Sequence, residues 1–175
     1  RSVGYAQEHR YASLPLCVID AVFSIGVRYS STTQTVERFC QHTGWTKFSA
    51  DRHQRGPGQH RVGDLLSILT EYTHDRAAEY LFGNRQRTSS TSGVLKAEAV
   101  LLFSRALHDA NIDSFEDINA DRLRLAEADI LGLPGQGSGI SFDYFQMLAG
   151  NDENVKGDRM IIRFVAKALD LQTMP

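Results

Sequence analysis

The chain has 175 residues, a net charge of −2 and a pI near 6.3, with 42% hydrophobic and 23% charged residues. That length suits one domain able to bury about 70% of its unfolded surface. The charge balance excludes a polybasic tail or a strongly cationic nucleic-acid binder, though not a local binding surface. Two cysteines, Cys17 and Cys40, are too few for an iron–sulfur cluster, which takes four thiolates, and they make no disulfide framework. No apolar run reaches the roughly 18 residues of a membrane span. The longest, Leu14 to Val27, is broken by Asp20, Ser24 and Gly26. No charged segment leads into a cleavable apolar one, so a reduced cytoplasmic setting is the expectation.

The periodicity is helical almost throughout, and alternating strand-like runs are missing. The first predicted helix, about Pro15 to Tyr29, is apolar on most faces. Ser31, with Gln34 three residues on, reads as the capping box of a second helix reaching about His42, which Gly44 ends. Residues 45 to 61 form a basic loop punctuated by Gly56-Pro57-Gly58 and carrying Lys47, Arg52, Arg55 and Arg61 with His53 and His60. A metal site would need further ligands at sensible spacing, and none is evident there. Trp45, at the edge of this loop, either anchors it or stacks on a base.

Two helices follow, about Val62 to Tyr72 and about Asp75 to Phe82. A second polar loop, 83 to 93, carries Arg85 and Arg87, either as phosphate contacts or as solvated charge. A long helix spans about Val94 to Ala110. Ser114 and Asn119 are placed as N-caps of short helical stretches. The segment Arg122 to Ile130 leads into Leu133-Pro134-Gly135-Gln136-Gly137-Ser138-Gly139. A helix over about Ile140 to Leu148 and a last one over about Gly157 to Leu171 complete an all-α chain. Residues 1–100 hold 12 basic and 9 acidic side chains, and residues 101–175 hold 7 and 12. The basic surplus falls in the two loops, where a polyanion can be met.

The glycine-rich segment is the most informative. A helix ends, closely spaced glycines turn the chain, and a new helix begins. The amides at that helix start carry partial positive charge, so Gly135, Gln136, Gly137, Ser138 and Gly139 suit a phosphate without any basic side chain. Read alone, the segment is equally a plain helix–helix turn. It is neither a dinucleotide fingerprint, since no strand precedes it, nor a nucleophile elbow.

In its surroundings the segment resembles the hairpin of the helix-hairpin-helix DNA glycosylase superfamily, whose branches include endonuclease III and the adenine glycosylases. The matching residues are Leu133 to Gly137, then Asp158-Arg159-Met160-Ile161-Ile162-Arg163-Phe164, with Lys96-Ala97 and Ala21-Val22-Phe23-Ser24 upstream. The resemblance covers about Pro15 to Leu169. It implies two interleaved helical lobes within a single domain over 1–175, a hairpin at about 131–140 and a cleft between the lobes. DNA is the implied partner, a base is flipped into the cleft, and no cofactor is required. Asp158 is the implied catalytic carboxylate, stabilising oxocarbenium-like charge and orienting water. As a residue read without the resemblance, Asp158 is a plain helix N-cap, and the two roles are compatible. Lys156 and Arg159 flank it and favour its ionised form. Lys96, Arg85, Arg87, Arg28 and Lys156 join the hairpin as candidate DNA contacts.

The sequence departs from the family at three places. Gly139 stands where the lyase-active branch has its Schiff-base lysine, which implies monofunctional hydrolysis. Gly26 stands where that branch has a gap-filling Gln, leaving Arg28 or Tyr29 as the wedge. The four-cysteine cluster loop has no counterpart. A catalytically inactive DNA-binding or protein-interaction module is the alternative.

Overall fold

The computed structural model describes residues 10–49, 59–91 and 93–150. Among them the chain is all-α, with no strands and only two isolated bridges, Tyr11 with Phe48 and Arg87 with Leu95. No described helix is long and apolar enough to cross a membrane.

Helix α1 (Leu14–Phe23) is buried along its whole length, as a helix apolar on every face must be. Pro15 sits in its first turn, where its missing N–H costs nothing. It packs against α7, α5, α2 and α3, which makes it the axis of the core. It is shorter than the periodicity predicts. The Ser24 amide closes the last turn on the Asp20 carbonyl at 2.9 Å, and Gly26 then turns the chain at φ +70°. Helix α2 (Tyr29–Thr43) consequently starts three residues earlier than expected, with Arg28 in place of Ser31 at the N-cap and no side-chain cap. Ser31 lies inside the first turn, its hydroxyl occupied by the Gln86 side chain at 3.4 Å. The expected stop is found: Gly44 is left-handed at φ +75°, and its amide reaches the Cys40 carbonyl at 2.8 Å.

Helix α3 (Val62–Thr70) is opened by Asp64, whose carboxylate accepts from the Arg61 amide at 2.7 Å. A short α4 (His74–Arg76) runs on into one π-helical turn, Ala77–Leu81. Helix α5 (Lys96–Asp109) packs on α3, α1 and α6. Ser114 caps a 3₁₀ turn over Phe115–Asp117, and Asn119 caps α6 (Ala120–Leu131) by accepting from the Arg122 amide at 3.0 Å. Helix α7 (Ile140–Leu148) lies against α1. The core holds one aromatic group of Phe23, Phe39 and Phe82 and a second of Phe103, Phe142 and Phe145. Trp45 is an anchor: it is buried, meets Phe39 edge-on at 5.2 Å and stacks on His60 at 4.0 Å. Cys17 and Cys40 both lie buried in the interior and are not joined in a disulfide. The expected last helix, with Lys156 and Asp158, lies outside the described residues, as do His53 and the Gly56–Gly58 turn.

Candidate functional site

Three connecting segments meet beside α1 and α7: the turn 24–28, the loop 82–95 and the turn 132–139. Lys96 joins the first two. Its ammonium donates to the Phe23 carbonyl at 3.0 Å and the Ile25 carbonyl at 2.7 Å, with the Gln86 amide oxygen at 3.5 Å. The side chain thereby satisfies orphan carbonyls at the end of α1. Burial lowers its pKa to about 8. Thr88 joins the second segment to the third. It packs so tightly on Gly135 that a Cβ there would overlap it, and Gly135 also holds φ +78°. Both constraints require glycine.

Within the turn 132–139, Gly135 and Gly139 are left-handed. The Gln136 amide donates to the Leu133 carbonyl and the Gly139 amide to the Gln136 carbonyl, each at 3.0 Å. The Gln136 side chain is buried, its oxygen accepting from the Ser141 hydroxyl. Gly137 and Ser138 are exposed, and the Ser138 hydroxyl lies 3.5 Å from the Ile140 amide.

These positions correct part of the sequence reading. Lys96 is 2% exposed, so as placed its ammonium is a lock on the α1 terminus and cannot touch DNA. Gln136 is 3% exposed and, with Gly139, spends its amide inside the turn. The close approach that Gly135 permits is made by Thr88. Gly137 and Ser138 are exposed. Arg28, at the start of α2, is exposed. Arg87 is exposed and donates to the Gly93 carbonyl at 2.8 Å. Arg85 is exposed and shared between Asp75 at 2.6 Å and Glu79 at 4.0 Å.

The same region holds a buried acid that the sequence reading passed over. Asp20 is the one charged residue of α1 and is 1% exposed. Its carboxylate accepts from the Tyr11 hydroxyl at 2.6 Å and the Ser24 hydroxyl at 2.7 Å. Burial pushes its pKa up, while these two donors and the Lys47 charge pull it back. Burial and the Asp20 charge push the hydroxyl of Tyr144 on α7 up to about 12. Tyr29 is 61% exposed and its pKa is also raised, by desolvation and by Asp20. The Tyr11 and Ser24 hydroxyls thus hold the buried carboxylate next to the turn 24–28. The available signal was an acid inside Leu14-Pro15-Leu16-Cys17-Val18-Ile19-Asp20-Ala21-Val22-Phe23: a charge placed so needs partners.

Among the described residues, no group of three or more His, Cys, Asp or Glu is placed to hold a metal ion. A family model described as a domain of unknown function, DUF8548, matches residues 2–175. The chain belongs to this family. No curated protein and no solved structure matches it. In this DUF8548 member the three segments meet around Lys96, Thr88 and Gly135.

Proposed function

We propose that the chain is a helix-hairpin-helix protein that holds DNA and hydrolyses a base from it, as a monofunctional glycosylase of the DNA-repair type. One observation carries this reading. The segments that the sequence resemblance assigns to DNA, the turn after α1 and the turn before α7, are tied into one place by the loop between them, through Lys96 and Thr88. In this reading two helical lobes flank a cleft, and the turn 132–139 is the hairpin.

The chemistry follows from the residues. The exposed Gly137 and Ser138, next to the positive end of the α7 dipole, receive a backbone phosphate on their amides. Arg28 or Tyr29, exposed at the start of α2, fills the gap left by a flipped nucleotide. Asp158, ionised, stabilises the positive charge that develops at C1′ as the base departs and orients the attacking water. Water adds to C1′, the base leaves with the bonding electron pair and takes up a proton, and an abasic site remains. Gly139 offers no amine, so no Schiff base forms.

Single-turnover release of modified bases from duplex oligonucleotides tests this, with Asp158→Asn beside the wild type. Loss of about 10²-fold or more in rate with retained DNA binding is the expected result; equal rates in the two proteins remove Asp158 from the mechanism. A second reading is favoured by Gly26 and Gly139 standing where the lyase-active branch has Gln and Lys: a module that binds DNA without chemistry. It predicts salt-dependent binding and no base release from any substrate.

A further inference from the structure

We propose that the pocket between α2 and the segment Gly83–Gln86 is a binding site for a phosphate group. The pocket, about 300 Å³, takes none of its lining from the turn 132–139. It is lined on one side by Ser31, Gln34, Thr35 and Arg38 of α2 and on the other by Asn84 and Arg85 with their neighbours.

The lining selects the ligand by elimination. No carboxylate faces the pocket, so it does not suit a cation. No aromatic or aliphatic side chain lines it, so it offers neither the stacking platform a base needs nor a wall for a lipid. Arg38 and Arg85 line it among hydroxyl and carboxamide residues, which is a donor-rich surface for oxyanions. It begins beside the first turn of α2, which carries no acidic residue to offset the helix dipole.

The walls are built rather than incidental. Arg38 Nη1 donates to the Gly83 carbonyl at 2.6 Å. That acceptor is neutral, so the guanidinium is oriented with its full charge and its other N–H groups still available. Gly83 holds φ +54°, and a Cβ there would run into Arg38; the glycine makes the seat. Thr35, 2% exposed, accepts from the Asn84 side chain at 2.9 Å, and Asn84 in turn accepts from the Gln86 amide at 2.9 Å. The segment is therefore ordered before any ligand arrives. Arg85 is partly neutralised by Asp75 and Glu79, which leaves Arg38 as the principal anchor.

A phosphate can come from the DNA backbone or from a small molecule, and the experiment separates them. Inorganic phosphate, deoxyadenosine monophosphate and a duplex of about 20 base pairs are titrated calorimetrically into the wild type, Gln34→Glu, Arg38→Gln and Gly137→Asp. Gln34 is exposed and makes no contact that orders the segment, so Gln34→Glu sets a carboxylate in the pocket and leaves the fold intact; circular dichroism checks it. Loss of affinity on the order of tenfold in both pocket variants is expected, the size of one charge-assisted hydrogen bond. A loss for the two small ligands, with Gly137→Asp unchanged, assigns a free phosphate or nucleotide. A loss for the duplex alone assigns a backbone phosphate, and Gly137→Asp then reports separately on the turn 132–139. Wild-type protein that binds none of the three, or Gln34→Glu that binds all three as the wild type does, overturns the proposal.

Discussion

Replacing Lys96 by Met tests whether this side chain is a lock at the end of α1. At pH 7 the substitution removes the donor from the Phe23 and Ile25 carbonyls, which costs about 1–3 kcal/mol for buried acceptors left unpaired. The pH dependence is the sharper readout. A pKa of about 8 in place of the ordinary 10.5 corresponds to about 3 kcal/mol at 1.36 kcal/mol per pH unit. The carbonyl dipoles at the helix end favour the ammonium and reduce this to about 1–3 kcal/mol. Below about pH 8 both folded and unfolded chains hold the proton, and the folded state bears the whole cost of burying the charge. Between there and pH 10.5 the unfolded chain binds more protons, so the Lys96 contribution to stability rises with pH. The raised hydroxyl and thiol pKa values of Tyr11, Tyr144 and Cys40 act in the opposite sense above their ordinary values, and the comparison with Lys96→Met cancels them. Urea unfolding of both proteins at pH 7 and 9.5 should show the gap between them widening by about 1–2 kcal/mol. A gap that stays constant or narrows refutes the buried-charge argument.

Tyr11→Phe leaves one oxygen of the buried Asp20 carboxylate without its donor and should lower stability by about 1–3 kcal/mol at pH 7. Because burial already raises the Asp20 pKa, the carboxyl is protonated more readily in the folded state than in the unfolded one, and the loss should shrink as the pH falls toward 4 in the same unfolding assay. Gly135→Ala introduces a Cβ against Thr88 at a left-handed position; a cost of about 1–3 kcal/mol is expected. Adding Thr88→Ala should return part of it, and strict additivity of the two substitutions would show that the packing plays no role.

Fold class was legible because periodicity and punctuation agreed. Gly44, Ser114 and Asn119 terminate or open elements where their chemistry places them, and α7 keeps its anticipated bounds. Helix starts were less legible near Gly26. One left-handed glycine ended α1 early, let α2 begin at Tyr29 and turned Ser31 from a cap into a side-chain partner. At the candidate site, residue type alone misled. A lysine at a helix start looks like a phosphate contact, and only the fold reveals that two carbonyls from a distant turn claim it. The glycine at position 135 was legible as a place of close approach, but not as one occupied by Thr88. Asp20 and Arg38 needed the third dimension too: what marks them is which segment each one reaches.

The two interior thiols have a practical consequence. Cys17 on α1 and Cys40 on α2 are 0% and 6% exposed, and burial holds the Cys40 thiol up at about 11, so neither reacts with an alkylating reagent until its helix opens. The chain therefore carries its own pair of opening reporters. With the two labelling rates resolved by peptide mass analysis, a uniform slowing on adding a ligand marks stabilisation of the whole fold, whereas slowing confined to Cys40 marks a ligand acting through α2 alone.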